Sequence, residues 1–359
     1  MTVTKKKPAK KSTSRTSKLP LPLTLEPMEA LSVDEIPVGA EWQYEPKWDG
    51  FRCIAFRNGD NVHLQSKSGQ PLERYFPELV EALRQASEKK FVLDGEIVIP
   101  RGQALSFDAL LQRIHPAASR VRKLSEETPA LYIVFDLLAD DRGRSLLDEP
   151  LAERRRRLEA FFGKALKGIA NVKLSPATTD VRQAKRWFAT AGAALDGVIA
   201  KRVDFGYRSG DRTGMQKIKP SKTVDCVVGG FRYASRGKAV GSLLLGLYND
   251  QGLLDHVGFT SSFTNAERKA LLTKVEPLIA PPGFTGKAPG GPSRWSTARS
   301  AEWEPLKPKL VVEVAYDHFT GGRFRHGTTT LRWRPDKKPR KCTLDQLASA
   351  GTKSLRLLA

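Results

Sequence analysis

The chain has 359 residues, 40% of them hydrophobic, which is enough for about two folded domains and excludes general disorder. Lys and Arg number 60 against 39 Asp and Glu, and the resulting formal charge of +21 favours a polyanion partner, nucleic acid before anionic membrane. No apolar run reaches the roughly 18 residues of a spanning helix and no secretory signal is expected. Cys53, Cys226 and Cys342 are too scattered for a four-cysteine zinc site and fit a reducing cytoplasm.

Residues 1–22 read as a basic, disordered tail, with Lys5-Lys6-Lys7 and Lys10-Lys11 available to a phosphate backbone or serving only solubility. From about residue 41 the pattern is mixed α and β. Phe51 to Phe56 and Val62 to Gln65 read as strands joined at Asn58-Gly59-Asp60. Phe76, Leu79, Val80 and Leu83 mark one face of a helix. Phe91 to Ile99 reads as a strand interrupted by Asp94-Gly95-Glu96, and Phe107 to Ile114 as a short helix. Leu131 to Leu138 is a buried strand that carries Asp136. Leu151 to Phe162 predicts a helix with Arg154 to Arg157 largely solvated. A further helix is expected at Arg182 to Ala189, with strands at Gly197 to Lys201 and Gln216 to Lys219.

After Pro220 the pattern changes to short strands with glycine turns, at Cys226 to Val228, Ser242 to Tyr248, Leu253 to Phe259, Leu310 to Tyr316 and Thr328 to Trp333. One helix is expected at about 265–279 and a Pro/Gly-rich loop at 280–294. Several short strands with one helix suggest a small β-barrel, of which the OB-fold suits a basic protein best. The expected division is a tail at 1–22, a first domain at 23–222, a second at 223–345 and a C-terminal tail at 346–359.

Six stretches put charge where a core would not normally take it. They are Lys47-Trp48-Asp49-Gly50, Ser66-Lys67-Ser68-Gly69, Asp94-Gly95-Glu96, Phe135-Asp136, Asp196-Gly197-Val198-Ile199-Ala200-Lys201 and Lys217-Ile218-Lys219. Asp49-Gly50 signals a tight bend that brings Lys47 and Arg52 together. A lysine held near other cations loses its proton more easily and becomes a nucleophile, although K-x-D-G alone also fits a solvated surface turn. Buried charges are costly unless paired or metal-bound. Glu96, Asp136 and Asp196 could therefore balance Lys47, Lys217 and Lys219 around one pocket. A site of that composition suits a nucleoside triphosphate with a divalent metal.

In this order, and followed by Arg334-Pro335-Asp336-Lys337 as R-x-D-K, the motifs resemble those of the covalent nucleotidyltransferases. The chain is most similar to ATP-dependent DNA ligases, in particular the small bacterial C-type. The resemblance spans residues 25–345. It implies an α+β chain of two domains: an ATP-grasp-like nucleotidyltransferase (adenylation) domain of antiparallel sheets and helices, then an OB-fold β-barrel. It further implies that Lys47 carries the AMP, that Glu45 meets the adenine edge, and that Arg52 and Lys67 lie near the ribose and phosphates. Glu96 would contact the ribose or bind metal through water, Phe135 would stack on the adenine, and Asp196 would bind the metal. Arg212, Lys217 and Lys219 would hold the phosphates, while Arg334 and Lys337 would orient the pyrophosphate leaving group. Lys67, Asp196 and Met215 depart from the family's usual Arg, Glu and Trp.

The implied chemistry is transfer of AMP from ATP to Lys47, then to a 5′-phosphate at a nick, then sealing by the 3′-hydroxyl, with Mg²⁺ (or Mn²⁺) as cofactor. The implied partner is nicked double-stranded DNA, met through backbone contacts for which Arg323, Arg325, His326 and Arg340 are candidates. A repair polymerase is a further candidate partner. A monomer in the cytoplasm, associated with the nucleoid and not with membrane, is expected. The same lysine chemistry would serve a GTP-dependent mRNA capping guanylyltransferase or an RNA ligase. A DNA-binding module without catalysis would show a broken lysine motif or missing carboxylates.

Overall fold

The computed structural model describes residues 19–102, 104–190, 195–220, 222–235, 238–290, 302–347 and 357–358. Of the sequence expectations, residues 1–18 of the basic tail and part of the loop at 280–294 lie outside these. Contacts divide the described chain into two units, residues 19–219 with 357–358, and residues 220–347.

The first unit contains strands β1 (Leu31–Val33), β2 (Trp42–Lys47), β3 (Phe51–Asn58), β4 (Asn61–Ser66), β5 (Lys90–Val98), β6 (Pro100–Arg101), β7 (Ala104–Leu105), β8 (Leu131–Ala139), β9 (Val172–Leu174), β10 (Gly197–Arg202) and β11 (Met215–Ile218). Its helices are α1 (Pro77–Arg84), α2 (Phe107–Arg113), α3 (Ala118–Glu127), α4 (Leu151–Phe161) and α5 (Val181–Ala189). One sheet runs β4-β3-β5-β8-β9 and another β1-β11-β10-β2, with β6 and β7 as a separate ribbon. The sheets are not wholly antiparallel as expected, because β8 pairs with β9, and β1 with β11, in parallel. The first of these is a strand–helix–strand crossover through α4, which returns the chain in the same direction.

Alternation along β3 explains how one sheet serves two cores. Cys53 and Ala55 face a cluster with Leu79 and Leu83 of α1, Leu110 of α2 and Leu158 of α4. Ile54 and Phe56 point the other way, onto Met28, Tyr207 and Met215. Val98 and Ile133 of the same sheet pack with Trp42, Tyr44, Val198 and Ala200 from the second sheet and with Trp48 just after β2. Each such aliphatic or aromatic side chain, fully buried, contributes about 1.5–3 kcal/mol.

The Asp49-Gly50 bend is a different object from the turn its sequence suggests. It does not close a hairpin: β2 and β3 belong to different sheets, and the bend carries the chain from one to the other. Gly50 has no positive φ. A Cβ there would sit 2.2 Å from the Ile97 carbonyl oxygen, so glycine is required by close approach. Nor is β5 broken at Asp94-Gly95-Glu96. It continues through a bulge in its pairing with β8 between Asp94 and Gly95.

The basic run on α4 also differs from expectation. Arg154 and Arg155 are buried, and only Arg156 and Arg157 of the run keep appreciable solvent contact. Arg154 grips Asp136 through Nε at 2.9 Å and Nη2 at 3.0 Å, and Arg155 donates to the Ser175 carbonyl at 2.9 Å. Four consecutive arginines on a helix necessarily point in several directions, and two of these meet buried acceptors.

The second unit contains β12 (Lys222–Tyr233), β13 (Val240–Tyr248), β14 (Leu254–Thr260), α6 (Asn265–Val275), β15 (Glu304–Pro305), β16 (Val311–Tyr316), β17 (Phe319–Thr320), β18 (Arg323–Phe324) and β19 (Thr329–Trp333). The main sheet runs β14-β13-β12-β16-β19, with β15 on β12. It curls without closing into a continuous barrel. Its outer strands approach at one bridge, Thr260 with Thr328, where the Thr260 hydroxyl donates to the Thr328 carbonyl at 2.9 Å. A reciprocal capping box of Thr264 and Glu267 starts α6. The helix ends at Val275, earlier than expected, and passes into a 3₁₀ turn at Glu276–Leu278 that contains Pro277. Leu271, Leu272 and Val275 seal it onto Leu243, Leu245 and Val257. Trp303 packs against Phe284 at 5.5 Å, whereas Trp295 lies outside the described residues.

Candidate functional site

One pocket in the first unit gathers side chains from six strands: Glu45, Pro46 and Lys47 of β2, Arg52 of β3, Glu96 of β5, Phe135 of β8, Ile199 and Lys201 of β10, and Met215 and Lys217 of β11. Lys67 and the segment Pro27 to Ala30 complete its rim. Lys47, Glu45, Arg52, Lys67, Glu96, Phe135 and Lys217 are thus brought together as the motif order suggests. Asp136 is not. It is buried against Arg154 and takes no part in the pocket's charge balance.

Glu45 is buried with both oxygens engaged, Oε1 by Gln43 at 2.9 Å and Oε2 by the Lys201 ammonium at 2.8 Å. Lys201 Nζ and the Arg52 guanidinium each lie 4.5 Å from the centre of the Phe135 ring. Arg52 is fixed by a two-point pair with Asp94, at 2.6 and 2.7 Å, and Asp94 also accepts from the Tyr207 hydroxyl at 2.6 Å. Met215, where the family usually has tryptophan, is buried on the opposite strand from Lys201 and still lines the pocket.

The Lys47 end of the pocket is rich in cations. Lys47 and Lys219 both pair with Asp196, the latter at 2.9 Å. Lys67 and Arg212 converge on Glu29, at 2.8 and 2.7 Å. Their pull, led by the Lys67 hydrogen bond, holds the Glu29 carboxyl below its ordinary range. Arg212 itself is largely exposed and reaches the rim only through Glu29. Lys217 makes no ion pair among the described residues. Burial first, then Lys219, Lys47, Lys67 and Arg212, pushes its ammonium below the ordinary lysine range. A cation disfavoured by its own neighbours is a place prepared for an anion.

Glu96 is the counterpart. It has no ion pair among the described residues, and burial raises its carboxyl to about 7 against the opposing pull of Arg52 and Lys47. An under-neutralised carboxylate with a second carboxylate, Asp196, in the same unit is a donor set suited to Mg²⁺ or Mn²⁺, which prefer oxygen ligands. The raised value also has a stability consequence without ligand. The folded protein keeps a proton that the unfolded chain releases, so Glu96's contribution is most favourable below about 4.5 and is lost as pH rises to about 7. Glu96→Gln should flatten this part of the pH dependence of urea unfolding. An unchanged slope would mean that Glu96 ionises normally.

In the second unit the R-x-D-K residues form their own network. Arg334 bonds Asp225 at 2.9 Å and Asp336 at 2.8 Å, Lys337 reaches the other Asp225 oxygen at 3.1 Å, and Arg332 pairs with Glu313 at 2.6 Å. Arg323 is exposed and approaches His256 Nδ1 at 3.1 Å. Burial, reinforced by Arg323 and Arg232, lowers the His256 imidazole to about 3, so it stays neutral. Arg325 is half-buried. His326 pairs with Asp317. Arg340 donates to the Gly252 carbonyl at 2.8 Å and lies over Tyr248. His63 pairs with Glu73, and His115 accepts from the Ala117 amide, so both act locally.

Sequence reasoning passed over Glu29, Gln43, Tyr207 and Asp225, and gave Lys201, named only as the end of the Asp196 to Lys201 stretch, no role of its own. Lys201 left a trace, since a lysine ending an otherwise apolar strand is expensive to bury alone. Asp225 left the same trace beside Cys226-Val227-Val228. Glu29, in an irregular segment, left none.

The family model described as "ATP dependent DNA ligase domain" matches residues 27–219, and that described as "ATP dependent DNA ligase C terminal region" matches residues 236–337. DNA ligase C1 of Mycolicibacterium smegmatis is 47% identical over 341 residues, covering 92% of this chain and 95% of that protein. The multifunctional non-homologous end joining protein LigD of Pseudomonas aeruginosa is 30% identical over 94% of this chain, which spans only 38% of that longer protein. A solved structure from a study of Lig E DNA ligases superposes with a TM-score of 0.51 at 17% identity, over 86% of this chain and 99% of that one, a likeness of fold alone. The architecture is that of the nucleotidyltransferases, a catalytic domain followed by an OB-fold domain. Within that class, the chain belongs to the ATP-dependent DNA ligases, enzymes that use ATP and act on nicked DNA. Among the described residues no helix is long and apolar enough to cross a membrane.

Proposed function

We propose that this ligase seals nicks in duplex DNA through a lysyl-AMP on Lys47 and a DNA-adenylate, in the service of DNA repair. The observation that carries the reading is the cation-rich end of the pocket, where Lys217, beside Lys47 and Lys219, has no ion pair among the described residues. The neutral Lys47 amine attacks the α-phosphate of ATP. An N–P bond forms, the bond to the pyrophosphate oxygen breaks, and the lysine proton leaves to solvent. Lys217, Lys219, Lys67 and Arg212 stabilise the phosphate charge. Glu45 and Phe135 form the adenine slot, with Arg52 and Glu96 at the ribose. Arg334 and Lys337 orient the pyrophosphate. The divalent metal would be held by Glu96 and Asp196 and would offset phosphate charge when bound.

The nick's 5′-phosphate then displaces Lys47 from the AMP, and the 3′-hydroxyl displaces AMP from the DNA. Arg323, Arg325 and Arg340 meet the DNA backbone, and the sequence-independence of such contacts suits a nick sealer. We assign residues 23–222 to adenylation, 223–345 to the OB-fold, and 1–22 and 346–359 to tails. The working form is a monomer in the cytoplasm, at the nucleoid, alongside a repair polymerase. The name of the Pseudomonas relative supports the repair role.

The test is incubation with Mg²⁺ and α-labelled ATP or GTP, followed by a nicked DNA duplex or a nicked RNA duplex. Label should pass from ATP to protein and then to DNA, and the DNA nick should be joined better than the RNA one. Transfer from GTP alone would identify a capping-type enzyme, and faster RNA joining an RNA ligase.

A further inference from the structure

We propose that Lys201 is a positioning residue that sets base selectivity, by holding the Glu45 carboxylate as a fixed acceptor for adenine and against guanine. The inference rests on the reading of Glu45 as the adenine contact. Gln43, Glu45 and Lys201 are 7%, 2% and 4% exposed. They lie on neighbouring antiparallel strands, with Gln43 opposite Lys201 and Glu45 opposite Ile199. The two-residue repeat therefore places all three on one face. Lys201 holds one Glu45 oxygen at 2.8 Å and Gln43 the other at 2.9 Å. Each oxygen retains a lone pair for a ligand. Lys201 also lies over Phe135, so a single ammonium links the polar edge of the slot to its aromatic wall.

The selectivity follows from the two bases. Adenine presents a donating amine where guanine presents an accepting carbonyl. A carboxylate pinned at that edge accepts from the first and repels the second. Without the Lys201 ammonium, one Glu45 oxygen loses the bond that fixes it at that edge, so the acceptor is no longer held against the guanine carbonyl. Gln43 alone cannot prevent this, because an amide donor carries no charge.

The experiment measures labelled nucleotide transfer from ATP and from GTP, separating KM from kcat. The variants are Lys201→Met, Lys201→Gln, Lys201→Arg, Glu45→Gln and the double variant Glu45→Gln/Lys201→Met. Lys201→Met should reduce the preference for ATP by on the order of 10–100-fold, mainly through KM for ATP. Lys201→Arg should keep most of the preference, and Lys201→Gln, which retains a donor at little cost to packing, should fall between. In the Glu45→Gln background, Lys201→Met should not change the preference further, because Lys201 acts through Glu45. That double variant removes both buried charges together and is expected to fold even where Lys201→Met does not. If Glu45→Gln abolishes the preference but Lys201→Met and Lys201→Gln leave it intact, the role of Lys201 is overturned while the adenine reading stands. If Glu45→Gln itself leaves the preference intact, the adenine reading fails.

Discussion

Replacing Lys47 by alanine should abolish label transfer from ATP to the protein, a loss of at least about 10³-fold, or roughly 4 kcal/mol of barrier. The residue ends β2, and its amine is poised at the pocket beside Asp196 and Lys219. Its neighbours can orient ATP, but none replaces the atom that forms the covalent bond. Lys47→Arg should fail as completely, because a guanidinium does not give up its proton at working pH. Stability should fall less than at a fully buried pair, since Lys47 is 21% exposed and the buried Asp196 keeps Lys219 as a partner at 2.9 Å. The informative control is a nick that already carries AMP on its 5′-phosphate. Both variants should still seal it to a measurable degree, because the lysine's covalent work has been done. Label retained by either variant would move the attachment point elsewhere.

How much of this site could be read from the chain depends on the range of the interaction. Lys47, Asp49-Gly50, Glu96, Asp196 and Lys217 stand out locally, as charged residues set into apolar strand patterns. The pocket brings Lys47, Glu96 and Lys217 together, and Asp196 pairs with Lys47. The partners that orient them were not legible, because each comes from a remote segment. Lys201 meets Glu45 across 156 residues, and Tyr207 meets Asp94 across 113. Which partner a buried charge takes is set by strand register and sheet order, and neither is written in local periodicity. The Asp49-Gly50 bend fails differently. Its sequence fits a hairpin, yet the flanking strands join different sheets, and the glycine answers to the Ile97 carbonyl. In the second unit the strand pattern was readable and the ends of the sheet were not, since a short set of bonds around Thr260 and Thr328, one of them from the Thr328 amide to the Phe259 carbonyl at 3.1 Å, stands in for a ladder.

The same limit governs Arg154, and there the expected effect is large. Arg154→Ala should destabilise the protein by about 3–5 kcal/mol, because removing one member of a buried pair leaves the other charge without compensation. Besides Asp136, Arg154 serves the carbonyls of Glu149 at 2.7 Å and Phe205 at 3.0 Å, so three acceptors lose their donor together. Urea unfolding of Arg154→Ala and Arg156→Ala makes the comparison within one helix. Arg156 is 69% exposed and pairs only with Glu153 among the described residues, so its loss should cost far less than that of Arg154. Asp136→Leu/Arg154→Met should recover much of the stability lost in Arg154→Ala, since apolar residues of similar volume often replace a buried pair at little cost. The consequence reaches the pocket because Asp136 follows Phe135 on β8 and anchors the strand that presents its ring. Arg154→Ala should therefore also weaken ATP binding, whereas the double variant, with β8 held by packing, should restore it. If Arg154→Ala unfolds like Arg156→Ala, the pair is not the anchor its geometry implies. If the double variant recovers stability without recovering ATP binding, the charge on Asp136 matters to the pocket in its own right.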